Sequence, residues 1–342
     1  MSTPEIVIDL EKIESNVRVL KELYETKGIN IFGVTKVICG DPTLANILVS
    51  NGISYLADSR IENIKHILEA NVQAKFLLLR TLPSQAESTV KYAEISLNSD
   101  LSVIRLLSKA ALKANVFHKI ILMIEMGDLR EGIMPIDLND MVRSILRLSN
   151  IKLIGIGTNL ACFGGIKPNA RKMKLLSSIA VDLEKRFNIS LTIVSGGNSA
   201  NYNWFNSSED MGRVNNLRIG ESIFLGRETL ERKPIPNLFT DAFSLTAEVI
   251  ESSIKPSVPY GEVGVDAFDN IPTFEDAGSI IRGSSLGIST TRMQKYPIFV
   301  AYNPKSINSS SLYPLHISGA SLSLSIPMAA MSSALLPASN PW

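Results

Sequence analysis

The stretch IFGVTKVICGDP, residues 31–42, decides the fold. An apolar, β-branched run, IFGVTKV (31–37), carries a lysine near its end, and Cys-Gly-Asp-Pro then breaks it. Such a run bounded by turn residues reads as a strand buried on both faces. Lys36 is then either a solvated charge at a strand terminus or a chemical group held at the mouth of a sheet. Seven further runs of the same kind follow at YLADS (55–59), KFLLLR (75–80), ISLN (95–98), HKIILMIEM (118–126), KLIGIGTNL (152–160), LTIVSGG (191–197) and NLRIGE (216–221). They seldom alternate polar with apolar, which is the signature of parallel strands covered on both sides. Between them lie stretches with apolar residues at three- and four-residue spacing, such as 59–71, 101–114 and 138–149. These read as amphipathic helices. SRIE fits a capping box with Ser59 as N-cap and Glu62 at the third helical position.

Eight strand-then-helix units favour an α/β fold of the (β/α)8 TIM-like barrel type over a doubly wound open sheet. The barrel is expected over 11–235. A smaller, mostly β domain is expected from 1–10 together with 236–342, because EIVIDL (5–10) is strand-like and FSLTAEVIES changes the pattern after residue 240. The tail is compositionally odd: all 33 acidic residues lie within the first 276 positions, and the last 66 hold 15 serines. Residues after about 283 therefore read either as a Ser-rich tail or, as the preferred reading, as a frameshifted or poorly folded segment.

Composition narrows the function. At 342 residues, with 45% hydrophobic and 20% charged residues, the chain is globular in type. A net charge of +1 gives no footing for nucleic acid. The start lacks a basic segment followed by an apolar one, and no run of about 18 apolar residues occurs, so neither a signal peptide nor a membrane partner is expected. Two cysteines, Cys39 and Cys162, provide no disulfide framework, and a cytoplasmic location is the default.

In a parallel barrel the chemistry gathers at the C-terminal strand ends. There the sequence offers Lys36; Glu125, Asp128 and Arg130 in EMGDLREG; Asn159 and Cys162 in GTNLACFGG; SGGNSAN; and Arg218, Gly220 and Glu221 in RIGES. The two Gly-rich turns close neighbouring strands, the seventh and eighth, where such barrels favour phosphate. A lysine across the mouth from a phosphate site is the arrangement a pyridoxal 5′-phosphate enzyme needs.

Seven segments occur in order: GVTKVICGD, YLADSRIEN, EMGDLREG, GIGTNLACFG, VSGGNSA, NLRIGESIFLGRE and GEVGVDAFDN. Across residues 5–270 they make the chain resemble the alanine racemase-like, fold-type III pyridoxal 5′-phosphate enzymes, and within them the ornithine racemase-like group. The resemblance implies that Lys36 holds the cofactor as a Schiff base. It places Arg130 near the cofactor's phenolic oxygen and the substrate carboxylate, and Asn198 and Ser199 at the phosphate. Arg218 falls at the pyridine nitrogen, and the backbone amides of Gly220 and Glu221 at the phosphate. An arginine donates to that nitrogen without giving up a proton, which disfavours a long-lived carbanion and suits a racemase. The implied function is interconversion of L- and D-amino acids, with a basic amino acid such as ornithine favoured and alanine open, by a homodimer using two-base proton transfer. The alternatives are a cofactor-binding homeostasis protein without turnover and another fold-type III enzyme.

The sequence also departs from the alanine racemase pattern. Asn159 stands where a ring-packing histidine is usual, and Gly40 where a phosphate-binding tyrosine is usual. The tyrosine that serves the second face has no matching motif. Cys162, Asp266 and Tyr260 are the candidates for that second catalytic group. Glu125, Asp128 and Asp266 could attract a distal substrate ammonium; Glu125 and Asp128 could equally pair with Arg130 or another arginine. None of the three histidines, His66, His118 and His316, falls at a strand C-terminus, and no metal site is expected.

Overall fold

The computed structural model describes residues 5–266, 271–285, 288–289, 317–318 and 321–324. The chain divides into two compact units, one spanning Asp9–Ala242 and the other joining the first eight residues to the chain from Phe243 onward.

The first unit is the barrel that the run of strands predicts. After strand β1 (Glu5–Ile8), which belongs to the second unit, come β2 (Asn30–Val34), β3 (Tyr55–Asp58), β4 (Lys75–Leu78), β5 (Ile95–Asn98), β6 (His118–Met123), β7 (Ile151–Gly157), β8 (Ile193–Asn198) and β9 (Asn216–Ile219). All neighbours from β2 to β9 pair in parallel, and β2 closes on β9 in the register Asn30↔Asn216 to Gly33↔Ile219. The helices are α1 (Leu10–Glu25), α2 (Pro42–Ser50), α3 (Ile61–Glu69), α4 (Ala86–Tyr92), α5 (Leu101–Lys113), α6 (Leu138–Ile145), α7 (Ala170–Phe187), α8 (Tyr202–Ser207) and α9 (Glu221–Leu225).

Local chemistry starts most of the long helices. Asp9, Asp41, Asp100 and Asn169 each accept a backbone N–H from the first turn of α1, α2, α5 and α7. The capping box expected at Ser59 does not form. Helix α3 begins one residue later with Arg60 as N-cap and no side-chain cap. The buried Asp58 carboxylate at the end of β3 takes the Arg60 N–H and the Asn63 amide instead, each at 3.0 Å. Helix α3 buries Ile61, Ile64 and Ile67, the three-residue spacing read from the sequence.

Inside the barrel, alternate residues of β2 to β6 form an apolar cluster of Phe32, Val34, Ala57, Leu77, Ile95, Leu97, Ile121 and Met123. The side formed by β8 and β9 is polar, with Ser195, Asn216 and Arg218 buried.

The second unit is antiparallel. Strand β10 (Phe243–Pro256) pairs with β1, with β11 (Ser279–Ser285) and with β14 (Ser321–Leu324); β12 (Ile288–Ser289) and β13 (Ile317–Ser318) extend the two ends. Apart from these strands, the tail read as frameshifted lies outside the described residues. No helix among the described residues is long and apolar enough to cross a membrane.

His118 begins β6, far along the strand from the C-terminal mouth, and is buried with its Nε2 2.8 Å from Ser96 Oγ. Burial pushes its pKa down to about 4. The unfolded chain therefore takes up a proton near the ordinary histidine pKa while the folded chain resists until about pH 4. Stability should fall as pH drops through that window, by about 1.4 kcal/mol per pH unit. Urea titrations between pH 7 and 4 should show this slope, and His118→Gln should flatten it.

Candidate active site

The C-terminal ends of the barrel strands open onto a cavity of about 180 Å³. Val34, Leu97 and Met123 line it as the continuation of the apolar cluster. Around it stand Lys36, Arg130, Asn159, Cys162, Asn198, Ser199, Arg218, Gly220 and Glu221, so nine residues singled out from the sequence meet in one place. Asp266 and Tyr260 belong to the second unit, where both are exposed.

Lys36 stands in a 3-10 turn, Lys36–Ile38, just past the end of β2. Three contacts pin that turn. Thr35 donates its hydroxyl to Asp58 Oδ2 at 2.7 Å and its N–H to Ala57 O at 2.9 Å. Gly40 N donates back to Thr35 O at 3.1 Å. Gly40 has φ +68°, and a Cβ there would lie 2.6 Å from the Asn63 Cβ, so this position requires glycine. Lys36 is open to the cavity but walled by protein. Burial lowers its pKa, Arg80 and Arg218 lower it further, and Cys162 and Asp58 oppose them.

Arg218 is a buried cation on β9. It donates to Ser195 Oγ at 2.5 Å, to Thr158 O at 2.8 Å and to Asn159 Oδ1 at 3.4 Å. The Ser195 hydroxyl in turn donates to Asn216 Oδ1 at 2.6 Å. Burial lowers the guanidinium to about 10, which still leaves it protonated at neutral pH. Asn159 Oδ1 also accepts from Asn198 Nδ2 at 3.0 Å. With its oxygen turned to two donors, Asn159 is left with a buried Nδ2 that has no partner among the described residues.

Two short helix starts face the same mouth. Asn198 caps the 3-10 turn Ser199–Asn201, and Ser222 N, in the first turn of α9, donates to Ser199 Oγ at 3.2 Å. A Cβ on Gly220 would lie 2.9 Å from Val34 O, so the chain between β9 and α9 can pack against β2 only as glycine.

The acidic residues of the loop after β6 take neither of the roles expected for them. Glu125 and Asp128 are buried, but neither carboxylate pairs with an arginine side chain or stands free for a ligand. Glu125 accepts the N–H groups of Gly127, Leu129 and Arg130 at 2.5, 3.1 and 3.0 Å. Asp128 accepts those of Cys162, Phe163, Gly164 and Ile166. Both therefore shape the loops that carry Arg130 and Cys162. The charged groups in the cavity that sequence reasoning missed are Arg80, Glu131 and Arg232. Glu131 pairs with Arg80 at 2.7 Å and with Arg130 at 2.8 Å, and Glu221 pairs with Arg232. Arg80 at the end of KFLLLR was a legible signal, since it lies just past the C-terminal end of a barrel strand. Cys162 is exposed to the cavity.

The family model for the alanine racemase N-terminal domain matches residues 8–228. The ornithine racemase of Acetoanaerobium sticklandii is 40% identical over 276 residues, covering 80% of this chain and 78% of that protein. The lysine racemase of Thermotoga maritima is 39% identical over 282 residues, covering 81% and 78%. Among solved structures, alanine racemase from Streptomyces coelicolor superposes with a TM-score of 0.64 at 18% identity, covering 82% of this chain and 73% of that one. D-threonine aldolase from Filomicrobium marinum superposes with a TM-score of 0.62 at 17% identity, covering 74% and 72%. At these identities the superpositions show the fold.

The backbone-capping role of Asp128 has a measurable consequence. Asp128→Asn removes the charge from a cluster of four backbone donors, and hydrogen bonds to a charged acceptor contribute about 1.5–3 kcal/mol each. The variant should lose about 2–3 kcal/mol of stability in urea titration. Its amide exchange should rise at residues 162–166 before it rises in the strands.

Proposed function

This chain belongs to the alanine racemase family, and we propose that it is a pyridoxal 5′-phosphate-dependent racemase that interconverts the L- and D-forms of a basic amino acid, ornithine foremost. The observation that carries the reading is the meeting of the Lys36 amine and the buried, acid-free Arg218 guanidinium in one cavity. The names of the two relatives near 40% identity support the substrate class.

The residues present fit the cofactor. Five cations, Lys36, Arg80, Arg130, Arg218 and Arg232, line the cavity against two carboxylates, Glu131 and Glu221. That excess of positive charge suits a ligand bearing a phosphate together with a substrate carboxylate. Lys36 would hold the cofactor, and Ser199, Asn198 and the backbone at Gly220 and Glu221 would hold its phosphate. Arg218 would donate to the ring nitrogen, and the unpartnered amide of Asn159 would contact the ring. When bound, the cofactor supplies an electron-withdrawing ring that acidifies the amino acid's Cα–H.

This chain's own groups do the rest. Arg218 is locked by three acceptors and cannot supply a proton at neutral pH, so it orients without protonating. Arg130 receives the substrate carboxylate. Lys36 Nζ, with its pKa lowered, is neutral more often than a free lysine and can take the Cα proton on one face. Cys162 Sγ is proposed for the opposite face because it lines the same cavity. Asp266 is proposed for a supporting role, at that second face or at the distal ammonium of a basic substrate. A homodimer is part of the proposal: Leu129, Ile136 and Phe163, on the loops after β6 and β7, are exposed apolar side chains that an interface would cover.

The purified protein should show a visible absorption band that borohydride abolishes, and Lys36→Ala should lack it. A colourless protein that does not take up added cofactor would remove the cofactor assignment. L-ornithine, L-lysine and L-alanine, each followed by polarimetry, should show loss of optical rotation, fastest with ornithine. Cys162→Ala should lower kcat by at least about a hundredfold if it serves the second face. Because Lys36 is easier to deprotonate than free lysine, the rate of cofactor uptake should rise with pH and level off below pH 10.5, the ordinary lysine value.

A further inference from the structure

Arg130, the proposed contact for the substrate carboxylate, is held at the cavity wall in a larger assembly. Glu131 Oε2 lies 2.8 Å from Arg130 Nε, and Glu131 Oε1 lies 2.7 Å from Arg80 Nε. One carboxylate thus bridges two guanidinium groups, one from the loop after β4 and one from the loop after β6. All three residues line the cavity that holds Lys36. Both pairings use Nε, and among the described residues the terminal nitrogens of Arg80 and Arg130 make no hydrogen bond. Those nitrogens remain as donors on two guanidinium groups held by one carboxylate at the cavity wall, and donors of this kind suit the two oxygens of a carboxylate.

We propose that Glu131 is a positioning residue that fastens Arg80 and Arg130 into a single two-guanidinium receptor, with Arg80 a second contact for the α-carboxylate of the amino acid. This rests on the reading of the cavity as an amino-acid site. Charge decides between this and the other role open to Glu131, reception of a basic substrate's distal ammonium. The bridged trio carries a net charge of +1, and each Glu131 oxygen already faces a cation. An ammonium there would be repelled, while a carboxylate is attracted. Stability does not account for the trio either. The Arg80 side chain is half exposed, and exposed ion pairs add little to stability, so the long-range half of the trio has no structural purpose of its own. Fixing the separation of two cations across two loops is a positioning effect.

The test uses the cofactor-loaded protein and two readouts, calorimetric titration with propionate and steady-state kinetics. Arg80→Met should weaken propionate by about tenfold and raise KM similarly for ornithine, lysine and alanine, with kcat and cofactor content nearly unchanged. Glu131→Gln should do the same and also lower kcat, since Arg130 loses its anchor. Glu131→Asp should recover part of the propionate affinity. Propionate affinity within twofold of wild type in Arg80→Met would overturn the proposal. So would a Glu131→Gln KM increase confined to substrates with a side-chain ammonium. If Glu131→Gln fails to fold, Arg80→Met carries the test by itself. If the wild-type protein racemises none of the three amino acids, the proposed activity falls, while the propionate series still reads the receptor.

Discussion

Much of the barrel is organised around one constraint: a guanidinium ion placed inside it, on β9, without an acid to neutralise it. A buried charge needs every donor satisfied by something polar. Arg218 places three of its five donors on Ser195 of β8, the Thr158 carbonyl past the end of β7 and the Asn159 amide oxygen. Those acceptors in turn fix their own neighbours. Ser195 is oriented by Asn216, and Asn159 by Asn198. The polar side of the barrel is therefore a single connected network, and the apolar side formed by β2 to β6 is what closes around it. The network fixes the direction of the guanidinium and leaves the Asn159 Nδ2 as a buried donor without a partner among the described residues, which suits a group that must orient a ligand without exchanging protons.

The carboxylates of the mouth divide into two kinds. Asp58, Glu125 and Asp128 face backbone N–H groups and hydroxyls, and they hold the turns that present Lys36, Arg130 and Cys162. Glu131 and Glu221 face guanidinium groups in the cavity. The first kind shapes the loops; the second sets charge and spacing inside the site. None of the barrel's cavity-lining carboxylates is left without a cation or a set of backbone donors, so the cavity presents positive charge to what enters it. An amino acid carries a carboxylate, and the proposed cofactor carries a phosphate, so both groups are met by this charge. A distal ammonium on a basic substrate would therefore need a carboxylate other than Glu131 and Glu221.

The sequence by itself determined the eight barrel strands and the identity of the residues at their C-terminal ends. Strands buried on both faces read as near-continuous apolar runs, and such runs stand out in a linear reading, as within 75–80 and 118–126. The functional ends were legible because charged or glycine-rich residues directly follow apolar runs, as at Lys36 and in RIGES. The roles of Glu125, Asp128, Glu131 and Arg80 were decided only by tertiary structure. Asp128 acts on N–H groups 34 to 38 residues away, and Glu131 on an arginine 51 residues earlier. Spacing along the chain carries no record of such partners, because they are brought together by closure of the barrel. The helix start at Ser59 failed for the same reason. A capping box is a local pattern, but the buried Asp58 carboxylate holds the Arg60 N–H and the Asn63 amide and the helix starts from Arg60, and the position of Asp58 is set by the sheet rather than by the helix.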